Sequence, residues 1–166
     1  MRISEMILPE WDMEMANSRK LLACVPDGKF DYKPHEKSMT LGNLAGHVAG
    51  LAGWAKETMT LEKLEIEPGY KPHVPATNAE LLEMFDNCAA AGRAAIAGAT
   101  NEDYGKPWSL VFGGHTAFTM PRAAVLRGVV MNHHIHHRAQ LGVYLRLLDV
   151  KVPGMYGPSA DDKPGA

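Results

Sequence analysis

The sequence predicts an all-α fold, a four-helix bundle with long crossover connections. Four long segments carry apolar residues at helical spacing, and each is bounded by capping residues or by Gly and Pro breaks. The stretches between them are rich in turn formers. Residues 1–150 read as one bundle domain and 151–166 as a C-terminal tail.

The first helix is expected from Ser4 to Cys24, with Pro9 in its first turns. VPDGKFDYKP ends it through a Pro-Asp-Gly turn and a pre-proline break. A second helix follows Ser38 or Thr40, either of which suits an N-cap, and continues to Met59. Leu44, His47, Leu51 and Trp54 form its stripe at spacings of three and four. Gly42, Gly46, Gly50 and Gly53 each weaken that helix by roughly 1 kcal/mol relative to alanine. So many small residues make sense where another helix or a ligand comes close. EIEPGYKPHVPA, rich in proline and charge, reads as a connection. Asn78 is the expected N-cap of a third helix running to Ala97, with Gly98 closing it. TNEDYGKPWSLVFGGHTAFTMP is too irregular for a helix, although WSLVF and HTAFT flank Gly113-Gly114 as in a short hairpin. Pro121 suits the first turn of the last helix, expected from Arg122 to Leu148. The tail is turn-rich, and its final residues are expected to be mobile.

Composition narrows the function. Hydrophobic residues make up 46% and charged residues 22%, with a formal net charge of −2. Neither nucleic acid nor an anionic membrane is an expected partner of such a chain. No apolar run approaches the ~18 residues of a membrane span, and the N-terminus lacks a signal-peptide core. Cys24 and Cys88 read as buried free thiols, with no CxxC motif, so a cytoplasmic location is expected.

The chemistry lies in MNHHIHHRAQLGVYLRLL, where four of the five residues from His133 to His137 are histidine. Leu126, Val130, His133, His137, Leu141, Tyr144 and Leu148 form the predicted core stripe of the last helix. Burying two imidazoles there without partners would cost about 1–3 kcal/mol each, whereas a shared cation removes the difficulty. Histidines four apart lie on one helix face and can bind the same ion. The alternative is a pair of hydrogen-bonded core histidines. His47 is the candidate third ligand: a metal-binding pair needs one, and Gly46 and Gly50 allow close approach.

His136 is expected to steady a ligand ring or to meet solvent, and His134 to be solvated beside Arg127 and Arg138. His35 and His73 read as surface residues. His115 lies on the hairpin, which is placed to fold over the open end of the bundle. Glu57 and Glu83 read as solvated acids. Arg122, Arg127 and Arg138 could attract an anionic cosubstrate, though solvation is the commoner role.

The run Asn132 to Gln140, followed by Leu141 and Tyr144-Leu145-Arg146, resembles the terminal-helix motif of the DinB/YfiT-like family. In that motif a histidine and three intervening residues are followed by His-Arg-Gly-Gln. Ala139 stands where glycine is usual. Leu41-Gly42-Asn43-Leu44-Ala45-Gly46-His47-Val48 resembles the family's second-helix motif, and Pro153 to Asp161 resembles its ending. The resemblance implies up-down-down-up topology, a homodimer, and a divalent metal held by His47, His133 and His137. Zinc is the first expectation, with nickel or iron next. Some members it resembles are metal-dependent thiol transferases, which implies a low-molecular-weight thiol as a small-molecule partner; others are isomerases, and many have no known activity. The open ion alone suits hydrolysis as well as thiol transfer. A non-catalytic metal-binding stress-response or small-molecule-binding protein is the other reading.

Overall fold

The computed structural model describes residues 2–162. Its architecture overturns the all-α expectation: long helices are joined by a three-stranded mixed sheet, so the chain is not a pure four-helix bundle. The mobility expected of the final residues concerns 163–166, outside the described residues.

Helix α1 spans Ile3–Leu22 and contains Pro9. Its start is held by Glu5, whose carboxylate accepts from the Arg2 backbone N–H at 2.9 Å while its own N–H donates to the Arg2 carbonyl. Thr40 caps α2 (Leu41–Leu51), its hydroxyl accepting from the Asn43 N–H. The single second helix expected to run to Met59 is broken. At Ala52-Gly53 the chain turns, the Gly53 N–H donating to the Gly50 carbonyl at 2.9 Å, and α3 begins at Trp54 and ends at Thr60.

Strand β1 (Lys63–Ile66) follows, partly inside the segment expected to be only a connection. Its Lys-Leu-Glu-Ile alternation is a period-two pattern, but four residues are too few to stand out. Thr77, one residue before the expected Asn78, caps α4 (Asn78–Gly98). Asn78 instead donates its side-chain amide to the carbonyls of Leu22 and Val25, tying α4 to the end of α1. The stretch judged too irregular for a helix holds a short one, α5 (Asn101–Gly105), started by a Thr100–Asp103 capping box.

The hairpin is present. Strands β2 (Pro107–Phe112) and β3 (His115–Pro121) pair antiparallel across Gly113 and Gly114, both at positive φ as a tight two-residue turn requires. Strand β1 pairs parallel with β2, giving the order β1-β2-β3. The sheet covers α3 with its own small core of Trp108, Leu110 and Val125, against which Trp54 and Leu64 pack. Arg122 is buried and donates to the carbonyls of Met59 and Leu61, both at 2.8 Å, satisfying acceptors at the end of α3.

The last helix is composite: α6 (Arg122–Ala124), a π-helical segment over Val125–Met131, then α7 (Asn132–Leu147). The i→i+5 bonding of a π turn holds one residue more than an α turn, so the residues after it are rotated by about 100°. The fully buried side chains of α7 are accordingly His134, Arg138, Leu141 and Leu145, one position on from much of the predicted stripe. The main core joins α1, α2, α4 and α7 around Trp11, Leu44, Phe85 and Leu126. Gly92 on α4 marks a close approach, since a Cβ there would lie 2.8 Å from both the Ala52 carbonyl and the Trp11 ring. Among the described residues no helix is long and apolar enough to cross a membrane.

Candidate metal centre

Helices α2 and α7 bring His47, His133 and His137 together. One nitrogen from each ring falls in a group in which all lie within 4.8 Å of one another. The His47 and His133 Nε2 atoms are 3.4 Å apart, and those of His133 and His137 are 2.9 Å apart. Tetrahedral ligands about 2.0–2.1 Å from a zinc ion stand roughly 3.3–3.4 Å from one another. The spacing therefore suits one small cation, and the cluster can hold a metal ion.

Proton placement strengthens the fit. His137 Nδ1 lies 2.8 Å from the Gln140 side-chain oxygen, which can only accept, so the ring proton sits on Nδ1. A neutral imidazole has one proton to give. Once His137 gives it to Gln140, its Nε2 presents a lone pair toward His133 Nε2, 2.9 Å away, a position where a cation shared by the two rings is stabilised. Burial pushes the His47 pKa down to about 4, with the neighbouring His137 and His133 adding to the effect. Burial lowers His133 and His137 as well. All three rings are neutral, and so competent as ligands, at neutral pH.

The remaining histidines divide. His35, His73, His115 and His136 are exposed. His73 pairs with Glu80 at 2.6 Å. The hairpin reaches the site through Phe112 rather than through His115. His134, expected to be solvated, is fully buried, with Nε2 2.6 Å from Ser18 Oγ. Burial pushes its pKa down to about 3. Arg138, also expected at the surface, is 3% exposed and pairs with buried Glu14 at 2.6 Å. It donates further to the Glu14 carbonyl, to Ser18 Oγ and to the Tyr156 hydroxyl. This network locks α7 to α1 and to the tail, directly behind His133 and His137.

A cavity of about 720 Å³ adjoins the cluster, lined in part by His47, His133, Trp54 and Phe112. Glu57, read as a solvated acid, is half-buried on its wall, and Cys88 is another lining residue that sequence alone did not assign to the site. Glu83 is exposed, as expected. Cys24 and Cys88 are free thiols, half-buried rather than fully so.

The sequence model of the DinB family matches residues 4–164. The uncharacterised protein YrdA of Bacillus subtilis is 26% identical over 155 residues, 93% of this chain and 89% of YrdA. Two crystal structures share the fold. A DinB-like protein from Bacillus cereus has 23% identity and a TM-score of 0.74, over 93% of this chain and 98% of the other. The DinB-like YjoA from Bacillus subtilis has 17% identity and a TM-score of 0.70, over 90% and 96%.

Proposed function

The chain belongs to the DinB family, and we propose that it is a divalent-metal protein acting on a small molecule as a metal-dependent transferase or hydrolase. The observation that carries this reading is the convergence of three neutral imidazoles beside a cavity. His47, His133 and His137 are the assigned ligands, with zinc favoured and nickel or iron as other ions that imidazole accepts. Three neutral ligands leave the charge of the ion uncompensated and a coordination position free, as catalytic rather than structural sites do. When bound, such an ion supplies Lewis acidity to a substrate beside it.

The chain's own residues set the stage. Gln140 fixes the His137 ring, and the Arg138–Glu14 pair holds α7 in the rotation that aims His133 and His137 at α2. Glu57 is the one carboxylate on the cavity wall among the described residues, and we assign it the exchange of a proton with a bound substrate. A homodimer belongs to the same proposal, supported by Val143 and Leu147, exposed one turn apart on α7.

Elemental analysis of protein purified without a polyhistidine tag tests the site. Stoichiometric metal in the parent, lost in His47→Ala and in His133→Ala, supports it; metal retained in both variants refutes it. Incubating the metal-loaded protein with thiols and electrophiles, and with esters and amides, tests the chemistry. Turnover lost in His133→Ala supports an enzyme, and inertness across all of them refutes one.

A further inference from the structure

Beyond the metal itself, the cavity has a chemical preference of its own. Its walls include Trp54, Leu64, Ile66, Met84 and Phe112, and among the described residues no lysine or arginine lines it. Glu57 adds a negative charge. The arginines that might have drawn in an anion are engaged elsewhere. Arg122 is bound to the carbonyls of Met59 and Leu61, Arg138 to Glu14, and Arg127 to Glu10. Gly50 and Gly53 keep the space open: a Cβ at either would come within 3.3 Å of Met84 Cε or 3.2 Å of Cys88 Sγ. The volume falls within the range of roughly 300–1,000 Å³ usual for small-molecule sites.

We propose that this cavity selects an uncharged, aromatic small molecule that meets the metal through a single donor atom, and that it disfavours cosubstrates bearing several carboxylates. The inference rests on the metal reading above, because the donor atom needs the ion. The apolar preference comes from the walls. With the donor atom on the ion, any carboxylate elsewhere on the molecule lies along the apolar walls, where it loses water and meets no lysine or arginine, while the side chain of Glu57 repels it. An aromatic ring loses little water and lies against Trp54 and Phe112.

The test uses a matched pair of probes, 1-phenylimidazole and 4-(imidazol-1-yl)benzoate, which share the donor nitrogen and ring and differ by one carboxylate. Binding to metal-loaded protein is followed by calorimetry and by tryptophan fluorescence, with glutathione as a multiply charged thiol. The neutral probe is expected to bind about tenfold or more tightly than its carboxylate. Ile66→Arg, which places a cation on the wall, should shrink or reverse that ratio. Gly50→Val, which fills the floor, should weaken the neutral probe while metal content stays at the parental level. Equal or tighter binding of the carboxylate or of glutathione to metal-loaded parent protein overturns the proposal. If the protein takes up no metal yet the metal-free form still prefers the neutral probe, the metal assignment fails and the cavity's preference stands.

Discussion

Replacing Arg138 with methionine is expected to cost the fold about 3–5 kcal/mol, the range for removing one partner of a buried ion pair. Both partners are almost fully enclosed, Arg138 side chain at 3% exposure and Glu14 at 4%. Methionine would keep much of the packing volume but remove every hydrogen bond that the guanidinium makes. Glu14 would then be left as a buried carboxylate with only the Tyr156 hydroxyl, 2.8–2.9 Å away, to satisfy it. The stability of a whole domain is about 5–15 kcal/mol, so the loss is a large share. At about 2–4 °C per kcal/mol for a chain of this size, the midpoint should fall by roughly 6–20 °C. Thermal and urea unfolding followed by circular dichroism measure it. Tyr156→Phe, which removes one hydroxyl at an exposed ring, should cost about 1 kcal/mol. The double variant Glu14→Leu/Arg138→Met removes both charges and should recover most of the loss of Arg138→Met. A single variant within 1 kcal/mol of the parent, or a double variant no more stable than the single, would refute the view that an uncompensated buried charge sets the cost.

Other outcomes follow from the same geometry. Gly92→Ala should destabilise by about 1–3 kcal/mol, because its methyl group would press on backbone and on an indole ring that cannot yield. Gly128→Ala, with nothing within 4 Å of the new methyl, should be neutral or gain up to about 1 kcal/mol; chemical denaturation separates the two. Metal binding needs neutral rings, and a depressed pKa moves proton competition to lower pH. Occupancy measured after dialysis should therefore hold from pH 8 to about 6.5 and be lost as pH falls toward about 4; metal retained well below pH 4 would contradict imidazole ligation. Chelation at neutral pH should strip the metal and leave helicity nearly unchanged, since Trp11, Leu44 and Phe85 form the core without it; unfolding on chelation would mark a structural ion instead.

Much of this protein was legible locally. Thr40 before an apolar periodic run marks the start of α2 because a hydroxyl satisfies an N–H that the helix leaves orphaned. Gly113-Gly114 marks the hairpin because both positions need positive φ. The pairing of β1 with β2 was not legible, since a four-residue strand, Lys63 to Ile66, pairs with distant residues Ser109 to Phe112. The burial of His134 and Arg138 was missed for a related reason: a stripe drawn at constant α-helical period runs straight through a segment that is π-helical.

The sequence by itself determined which donor groups are available: two imidazoles one turn apart in a helix and a third in a glycine-rich helix, residue types suited to a divalent cation. Tertiary structure alone decided that His47 meets His133 across 86 residues of chain. It also decided that Glu57 lines a cavity and that Arg122 and Arg138 are engaged by the Met59 carbonyl and by Glu14 instead. Residue type and short-range spacing fix what a side chain can do. What it touches depends on helix phase and on segments remote in the chain, which appear only when the whole core packs.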